Sequence, residues 1–88
     1  MEIKCRAAAG TLESSDAYVE IEPGTGVEVV IQSVVAGQFG PDIERTVREV
    51  LVECGVENAL IRVSDRGALD CVIRARVEAA VLRGKGEV

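Results

Sequence analysis

Residues 27–32 read Val-Glu-Val-Val-Ile-Gln, a β-branched run that predicts a well-buried strand. After Gly-Gln-Phe-Gly at residues 37–40, Pro41 suits the first position of a helix, where its missing N–H is no loss. Apolar residues then recur at helical spacing and form one stripe: Ile43, Val47, Val50, Leu51 and Cys54. Gly55 is predicted to end this helix, and Ala-Leu-Ile-Arg-Val at residues 59–63 predicts another strand. Two strands joined by a helix are parallel if they are adjacent, with a right-handed crossover.

Two further strands are predicted ahead of this unit. Residues 2–7 alternate in polarity, and the alanines that follow continue the strand until Gly10, which is expected to supply backbone freedom. The apolar face of this strand carries Ile3, Cys5 and Ala7. Residues 17–22 alternate in the same way, and Pro-Gly-Thr-Gly at residues 23–26 is a strong turn signal. The strands on either side of this turn, the second being residues 27–32, are therefore predicted to pair as an antiparallel hairpin.

The last predicted element is a helix from about residue 68 to residue 82. Its buried stripe is predicted to contain Leu69, Val72, Ile73, Val77, Ala80 and Val81. Asp70 and Glu78 each lie four residues from Arg74, the spacing of weak ion pairs within a helix. Gly-Lys-Gly at residues 84–86 is predicted to be a frayed end.

The predicted order of elements is β-β-β-α-β-α. Each helix has one apolar side, so both helices must pack on a sheet. The predicted fold class is therefore α+β, a two-layer sandwich in which a mainly antiparallel four-stranded sheet carries two helices on one face. A chain of 88 residues has room for one core, so residues 1–88 are predicted to form a single domain.

The composition limits the classes of partner. Tyr18 and Phe39 are the only aromatic residues, so the chain lacks a stacking platform for single-stranded nucleic acid. The net charge of −5 is concentrated in residues 10–31, which contain no Lys or Arg. The acids of this region are Glu13, Asp16, Glu20, Glu22 and Glu28. Such a surface repels nucleic acid and attracts a basic protein partner, although it also matches an ordinary solubilising surface.

Catalytic and metal-binding groups are scarce. The sequence has no histidine, which removes the commonest general base and excludes Ser-His-Asp and Cys-His sites. Cys5, Cys54 and Cys71 share no close spacing, so they are expected to be reduced, mostly buried residues of a cytoplasmic protein rather than zinc ligands. Neither a signal peptide nor a membrane span is expected. We therefore expect a chain that is not an enzyme by itself, with no catalytic residue and no metal ligand.

Residues 10–16 read Gly-Thr-Leu-Glu-Ser-Ser-Asp and predict an exposed turn with two adjacent hydroxyls, Ser14 and Ser15. Small domains without catalytic residues are commonly carriers, adaptors or subunits. Lipoyl and biotinyl carriers display a lysine at a hairpin tip, but Lys4 and Lys85 lie near the termini. Ordinary acyl carrier proteins display a serine at the start of a helix in an all-helical bundle, whereas Ser14 precedes a strand.

Three blocks of the sequence resemble the acyl carrier protein, or gamma subunit, of citrate lyase. Residues 9–16 read Ala-Gly-Thr-Leu-Glu-Ser-Ser-Asp, and Gln-Phe-Gly at residues 38–40 precedes a helix that carries Ile and Val. Residues 65–80 read Asp-Arg-Gly-Ala-Leu-Asp-Cys-Val-Ile-Arg-Ala-Arg-Val-Glu-Ala-Ala. The similarity spans about residues 7–82 without a gap, and the blocks stand in the right order at the right spacing.

The resemblance implies a cofactor attached to Ser14. This group is phosphoribosyl-dephospho-CoA, derived from 2'-(5''-triphosphoribosyl)-3'-dephospho-CoA and joined to the serine Oγ through a phosphodiester. The next position is glycine in some relatives and Ser15 here, so Ser15 stays open as the alternative site. In the family, the cofactor thiol carries acetyl and citryl thioesters between the alpha (transferase) and beta (lyase) subunits as citrate is cleaved to oxaloacetate and acetate. The other implied partners are the prosthetic-group transferase and acetate ligase, and a flexible turn would suit an arm that visits two active sites.

Several roles stay open at the level of sequence. Glu13 and Asp16 either position the attaching transferase or its metal ion, or they solubilise the turn. Arg66 either turns the chain or meets a partner, and Arg76 either lays its stem along the apolar stripe or pairs across an interface. The alternatives to a citrate lyase carrier are the carrier subunit of citramalate lyase or malonate decarboxylase. From another class, the alternative is an unmodified assembly subunit in which Ser14 is a plain turn residue.

Overall fold

The computed structural model describes residues 2–33 and 36–86 as an α+β sandwich. Its strands are β1 (Ala7–Gly10), β2 (Ala17–Glu22), β3 (Val27–Ser33) and β4 (Ala59–Asp65), and its helices are α1 (Ala36–Glu53) and α2 (Asp70–Gly84). The predicted fold class and the order β-β-β-α-β-α are confirmed. Within the described ranges, neither helix combines the length and apolar character needed to cross a membrane.

The four strands form one sheet in the order β1-β2-β4-β3. β2 pairs antiparallel with both β1 and β4. β3 pairs in parallel with β4, from Val27 opposite Ala59 to Ser33 opposite Asp65, which confirms the predicted parallel pair joined by a helix. The predicted hairpin between β2 and β3 is wrong, because β4 lies between these two strands.

The connection from β2 to β3 crosses the start of β4 instead of folding back on itself. The Gly26 N–H donates to Asn58 Oδ1 at 2.8 Å, and the Gly26 carbonyl accepts from the Ala59 N–H at 2.9 Å. A Cβ on Gly24 would lie 3.0 Å from the backbone of Ala59 and Leu60, so glycine lets the chain pass close over the strand. Strands on either side of a third are about 10 Å apart. Four residues in extended form span roughly 13 Å, which is enough to cover this gap.

Both helices pack on one face of the sheet and enclose one apolar core. β2 and β4 alternate between buried and more exposed residues, as strands do when one face is covered. The helices contribute to the core Ile43, Val47, Val50, Leu51, Ile73, Val77, Ala80 and Val81. Most of both predicted stripes is therefore confirmed. Leu69 is an exception, because it precedes α2 and is 72% exposed, and Val72 and Cys54 are only half-buried.

β3 lies at one edge of the sheet, with β4 as its neighbour in the described chain. Its residues alternate between half-buried and exposed, and Val30 is 37% exposed. The prediction of a well-buried strand is therefore wrong. A β-branched composition indicates that a segment fits a pleated surface, but it does not say where in the sheet the strand lies.

α1 begins earlier than predicted. It starts at Ala36, so Pro41 lies inside the helix and not at its first position. The helix consequently lacks the hydrogen bond that the residue at this position would normally donate. The predicted end is confirmed, because α1 ends at Glu53 and Gly55 follows with a φ of 72°, a left-handed conformation that glycine adopts easily.

Polar side chains join the two helices. The Nη2 of Arg74 lies 2.7 Å from Glu53 Oε1, and its Nη1 lies 3.4 Å from Glu49 Oε1. Asp70 accepts a hydrogen bond from the Thr46 hydroxyl at 2.6 Å. Arg74 was predicted to pair with acids of its own helix, but the ion pairs that it forms are with acids of α1. The cause is the close packing of α1 against α2, which brings acids of another element within reach.

The C-terminal end of α2 is tied to the rest of the domain. The Lys4 N–H donates to the Gly84 carbonyl at 2.8 Å, and a Cβ on Gly84 would lie 3.1 Å from Ile3 Cγ2. Lys85 is only 8% exposed, and its ammonium donates to the Cys54 carbonyl at 2.7 Å. The predicted frayed end is therefore wrong. The lack of a side chain at Gly84 lets Ile3 and Ile21 pack closely against the helix end, and the glycine pattern of the sequence does not reveal this contact.

The first predicted strand and the predicted burial of the cysteines are both corrected. β1 begins at Ala7, and the residues before it are irregular. Ile3 is buried, but Cys5 is exposed, so they do not share one buried face with the strand. Cys71 is also exposed, and Cys54 is half-buried. Burial raises the pKa of the Cys54 thiol.

Candidate functional site

The predicted exposed turn lies between β1 and β2 and is confirmed. The Asp16 N–H donates to the Glu13 carbonyl at 3.2 Å, so Ser14 and Ser15 occupy the two central positions of a β-turn. Both serines are exposed, and the Ser14 hydroxyl makes no hydrogen bond to the described part of the chain. A second protein can therefore reach this hydroxyl without unfolding the domain.

The Thr11 hydroxyl makes two hydrogen bonds that close the base of the turn. It donates to Asp16 Oδ2 at 2.7 Å and accepts from the Glu13 N–H at 3.2 Å. These two bonds join the residues on either side of the serines. The expectation of a flexible turn is revised, because the backbone that carries Ser14 is held at both ends.

The backbone of Arg66 pairs with the turn at Ser15 and Asp16. The Ser15 N–H donates to the Arg66 carbonyl at 2.8 Å, and the Arg66 N–H donates to the Asp16 carbonyl at 2.9 Å. Ser15 and Asp16 therefore both oppose Arg66, so the pairing of β2 with β4 continues past Ala17 and Asp65 as a β-bulge with Ser15 in the left-handed conformation. Arg66 is exposed, so its guanidinium stands on a backbone that is fixed beside Ser14.

The Asp16 carboxylate is held by Arg76 of α2. Nε of Arg76 donates to Oδ1 at 3.0 Å, and Nη2 donates to Oδ2 at 2.8 Å. Oδ1 also accepts from the Ala17 N–H at 2.7 Å, and the Asp16 side chain is 15% exposed. The bonds from Arg76, and after them those from Thr11 and Ala17, hold the pKa of Asp16 well below its usual range. Arg76 thus pairs inside the domain, with the turn before β2, and not across an interface as one of the two open roles had it.

Two backbone positions shape the turn. Gly10 has a φ of 99°, and a Cβ there would clash with the carbonyl oxygen of Ala17, so the expected backbone freedom of Gly10 is confirmed. Ser15 has a φ of 66°, and within the described ranges it is the one residue other than glycine with a positive φ. This conformation costs an L-residue free energy but is open to glycine. A glycine at this position, as the resemblance implies for some relatives, would adopt this conformation without that cost.

Ion pairs neutralise part of the predicted acidic region. Asp16 binds Arg76, and Glu22 Oε2 lies 3.3 Å from Arg6 Nε and 3.9 Å from Arg62 Nη1. The acids of this region that form no ion pair with described residues are Glu13, Glu20 and Glu28. Because both Asp16 oxygens are engaged, Glu13 is the carboxylate of the turn that faces solution. No three His, Cys, Asp or Glu residues among residues 2–33 and 36–86 are grouped to hold a metal ion.

A cleft of about 390 Å³ opens beside the turn. It is lined by Leu12, Gln32, Ser33, Ser64, Asp65 and Arg66. Asp65 is buried and accepts from the Ser33 hydroxyl at 2.7 Å and from the Ala68 N–H at 2.8 Å. The sequence did not predict this cleft, because strand order brings its residues together from three separate segments.

Comparison with known proteins identifies the family. A family model described as "ACP: Malonate decarboxylase delta subunit (MdcD)" matches residues 4–84. A citrate lyase acyl carrier protein of Haemophilus influenzae is 51% identical over 88 residues, which cover 100% of this chain and 93% of the relative. The chain belongs to the citrate lyase acyl carrier protein family. A Klebsiella pneumoniae citrate lyase acyl carrier protein is 54% identical over 85 residues, which cover 94% of this chain and 88% of that relative.

A solved structure has a similar fold. One chain of a Pseudomonas malonate decarboxylase hetero-tetramer, crystallised in complex with malonate, matches with a TM-score of 0.73. The two chains are 26% identical, and the match covers 92% of this chain and 84% of the other. The resemblance to citrate lyase acyl carrier proteins is thus confirmed, and a similar chain in another enzyme is part of a multi-subunit complex.

Proposed function

We propose that this citrate lyase carrier homologue is the acyl carrier subunit of a citrate lyase, with phosphoribosyl-dephospho-CoA joined to Ser14 through a phosphodiester. The observation that carries the proposal is the exposed Ser14 hydroxyl at the centre of an anchored turn, in a chain 51% identical to a citrate lyase acyl carrier protein over 88 residues. The attached group would supply a terminal thiol on which acetyl and citryl groups are carried between the alpha and beta subunits. The chain itself contributes no catalytic residue in this proposal.

The residues around Ser14 fit such a group. The exposed hydroxyl accepts a phosphodiester without a change of fold, because no described residue bonds to it. Arg76 neutralises the Asp16 carboxylate, which reduces the repulsion between Asp16 and a phosphodiester two residues away. Arg66, whose backbone pairs with Ser15, adds an exposed guanidinium next to the turn, and a guanidinium can bind phosphate oxygens.

The anchored turn suggests a division of roles. Hydrogen bonds with Thr11 and with the Arg66 backbone hold Glu13, Ser15 and Asp16, the residues that flank Ser14. The reach needed to visit two active sites would then come from the rotatable bonds of the attached group. Tethering of this kind keeps the thiol at a high effective concentration near both active sites.

The proposed partners are the alpha and beta subunits, the prosthetic-group transferase and acetate ligase, and the proposed location is the cytoplasm. Family membership supports these assignments, as does the presence of a similar chain in a hetero-tetramer. Glu13 would offer a negative charge next to Ser14 to a basic surface of the attaching enzyme. The three cysteines are unpaired, the state that a reducing compartment maintains.

A malonate decarboxylase carrier is the second candidate. The description of the matching family model favours it, and so does the crystallised Pseudomonas complex. Identity favours citrate lyase, at 51% and 54% against 26%. The two functions are separated by mixing the loaded carrier with catalytic subunits of each enzyme. Cleavage of citrate alone supports the proposal, whereas decarboxylation of malonate alone would replace it, and cleavage of citramalate alone would move it to that lyase.

The attachment is tested by intact mass. The purified chain is incubated with the prosthetic-group transferase and 2'-(5''-triphosphoribosyl)-3'-dephospho-CoA, and its peptides are then fragmented. We expect one added group on Ser14, no addition to Ser14→Ala, and full addition to Ser15→Ala. Circular dichroism confirms that each variant keeps its fold. Addition to Ser15 would correct the site, and absence of any addition would favour an unmodified assembly subunit.

A further inference from the structure

The cleft beside the turn has the size and position of a small ligand site. Its volume of about 390 Å³ lies near the lower end of the range for ligand clefts, which begins at roughly 300 Å³. It lies where the parallel strands β3 and β4 end, next to Ser33 and Asp65. In sheets with parallel strands, ligands commonly bind outside the carboxyl ends of the strands.

The lining of the cleft combines apolar, amide and cationic groups. Leu12 is 56% exposed, which leaves an apolar surface at the rim. Gln32 and Ser64 are opposite each other in the β3–β4 ladder and supply an amide and a hydroxyl. Arg66 supplies a guanidinium. An apolar side chain suits the face of a nucleobase, an amide suits its polar edge, and a guanidinium suits phosphate oxygens.

The cleft is also next to the proposed attachment site. Leu12 precedes Ser14 by two residues in the same turn, and the Arg66 backbone is hydrogen-bonded to Ser15 and Asp16. In phosphoribosyl-dephospho-CoA, the units nearest to the serine are the phosphodiester, a ribose and the adenosine, whereas the pantetheine thiol is at the far end. The phosphodiester, the ribose and the adenosine therefore extend from Ser14 at a point beside the cleft.

We infer that this cleft binds the adenosine end of the attached group, with Arg66 paired to the phosphodiester and Leu12 against the adenine. The inference rests on the proposed attachment at Ser14. The nucleotide part of the arm would then stay bound to the domain, and only the pantetheine part would move between active sites. A carrier that fixes part of its arm loses less conformational freedom when the thiol enters a partner.

The test compares apo and loaded forms of the full chain by nuclear magnetic resonance, after intact mass has confirmed loading. We expect nuclear Overhauser effects between adenine protons and the Leu12 methyl groups, and shifts of the Gln32 side-chain amide and the Ser64 backbone amide. Adenine lines should be as broad as those of the domain. A loaded chain with narrow adenine lines and no contact to Leu12 would overturn the inference and leave the proposed function standing.

Variants isolate the role of the guanidinium. Arg66→Gln is expected to reduce the shifts at Gln32 and Ser64 by at least about half. The matched control is Arg45→Gln, which changes an exposed arginine of α1 that pairs with Asp42, and it should leave these shifts as they are. Equal shifts in wild type and Arg66→Gln would remove Arg66 from the site.

Titration of the unloaded chain with free 3'-dephospho-CoA keeps the two proposals separate. We expect weak, millimolar binding that moves the resonances of Leu12, Gln32 and Arg66. Binding together with failure of enzymatic loading would show that the cleft takes a free nucleotide, and it would overturn both the attachment to Ser14 and the inference that rests on it. No response to the free nucleotide and no contact in the loaded chain would overturn the cleft.

Discussion

Arg76 and Asp16 form a two-point contact between the middle of α2 and the end of the turn that carries Ser14. The two donor–acceptor distances are 3.0 and 2.8 Å, a fork that matches the two oxygens of a carboxylate. The contact joins the exposed turn to a helix whose buried face, including Ile73, Val77 and Val81, belongs to the core. Arg76 is therefore the side chain that fixes the position of the candidate site on the domain.

Arg76→Gln is expected to loosen the turn. Loss of the fork leaves the Asp16 carboxylate without its cationic partner, so the backbone bonds between Ser15 and Arg66 should open more often. We expect a lower melting temperature, amide hydrogen exchange at Ser15 that is several times faster, and slower loading by the prosthetic-group transferase. Arg76→Lys should be intermediate, since an ammonium keeps the charge but not the fork. Unchanged exchange at Ser15 in Arg76→Gln would contradict this role.

The Asp16 carboxylate should contribute stability with a defined dependence on pH. Its pKa is lowered on folding, so the contribution is complete above the unfolded value near 4 and is lost as the pH falls toward the folded value. The difference in unfolding free energy between wild type and Asp16→Asn is expected to be constant from pH 5 to pH 8 and to shrink below about pH 4. Urea denaturation across this range measures it. A difference that grows on acidification would contradict the prediction.

Ser15→Gly is expected to be tolerated or stabilising. Its φ of 66° strains an L-residue by about 1–2 kcal/mol, and glycine relieves this at an entropic cost of about 0.5–1 kcal/mol. The free energy of unfolding should rise by up to about 1.5 kcal/mol. The matched control is Ser14→Gly at the neighbouring position, which has no positive φ to relieve and should lose about 0.5 kcal/mol. Equal effects of the two substitutions would argue against strain at Ser15.

Gly10→Ala should destabilise the domain more than Gly26→Ala. Both glycines have positive φ values, of 99° and 70°, but a Cβ on Gly26 meets open space whereas one on Gly10 clashes with the Ala17 carbonyl. We expect a loss of about 1–2 kcal/mol for Gly26→Ala and about 2–5 kcal/mol for Gly10→Ala. Chemical denaturation of the two variants gives the comparison. Similar losses would show that the turn moves aside to admit the methyl group.

The three cysteines should differ in their reaction with a disulfide reagent under native conditions. Cys5 and Cys71 are exposed and are expected to react quickly, whereas Cys54 is half-buried and its thiol has a raised pKa. Timed labelling followed by peptide mass spectrometry assigns each site, and unfolding in urea should bring Cys54 to the rate of the other two. A fast reaction of Cys54 in the native state would contradict its burial.

Local periodicity predicted most of the elements but not their arrangement. The stripe from Ile43 to Leu51 and the stop at Gly55 depend only on nearby residues, which is why the sequence contains them. The strand order depends on which strand enters the centre of the sheet. Pro-Gly-Thr-Gly at residues 23–26 is compatible both with a tight hairpin and with a path across β4, so the turn signal alone could not separate the two.

The candidate site shows the same limit. A run of small polar residues was enough to predict the exposure of Ser14, because such a run cannot be buried cheaply. The partner of Arg76 was not predictable, since nothing in the pattern of α2 says which loop approaches its edge. Asp16 is an acid directly before a strand, but the sequence does not show that it lies opposite the helix that carries Arg76.

The N-terminal segment is bonded to the end of α2, and this contact determines at which points the protein can be tethered without covering Ser14. β2 starts next to the turn at Ala17, and Ile21, about 13 Å further along, lies against Gly84. Lys4 is bonded to the same Gly84, so both ends of the described chain meet on the side of the domain away from Ser14. A tag, a surface anchor or a fused domain at either end would not stand between Ser14 and an approaching enzyme. The domain can therefore be immobilised through either end with its loading face open to solution.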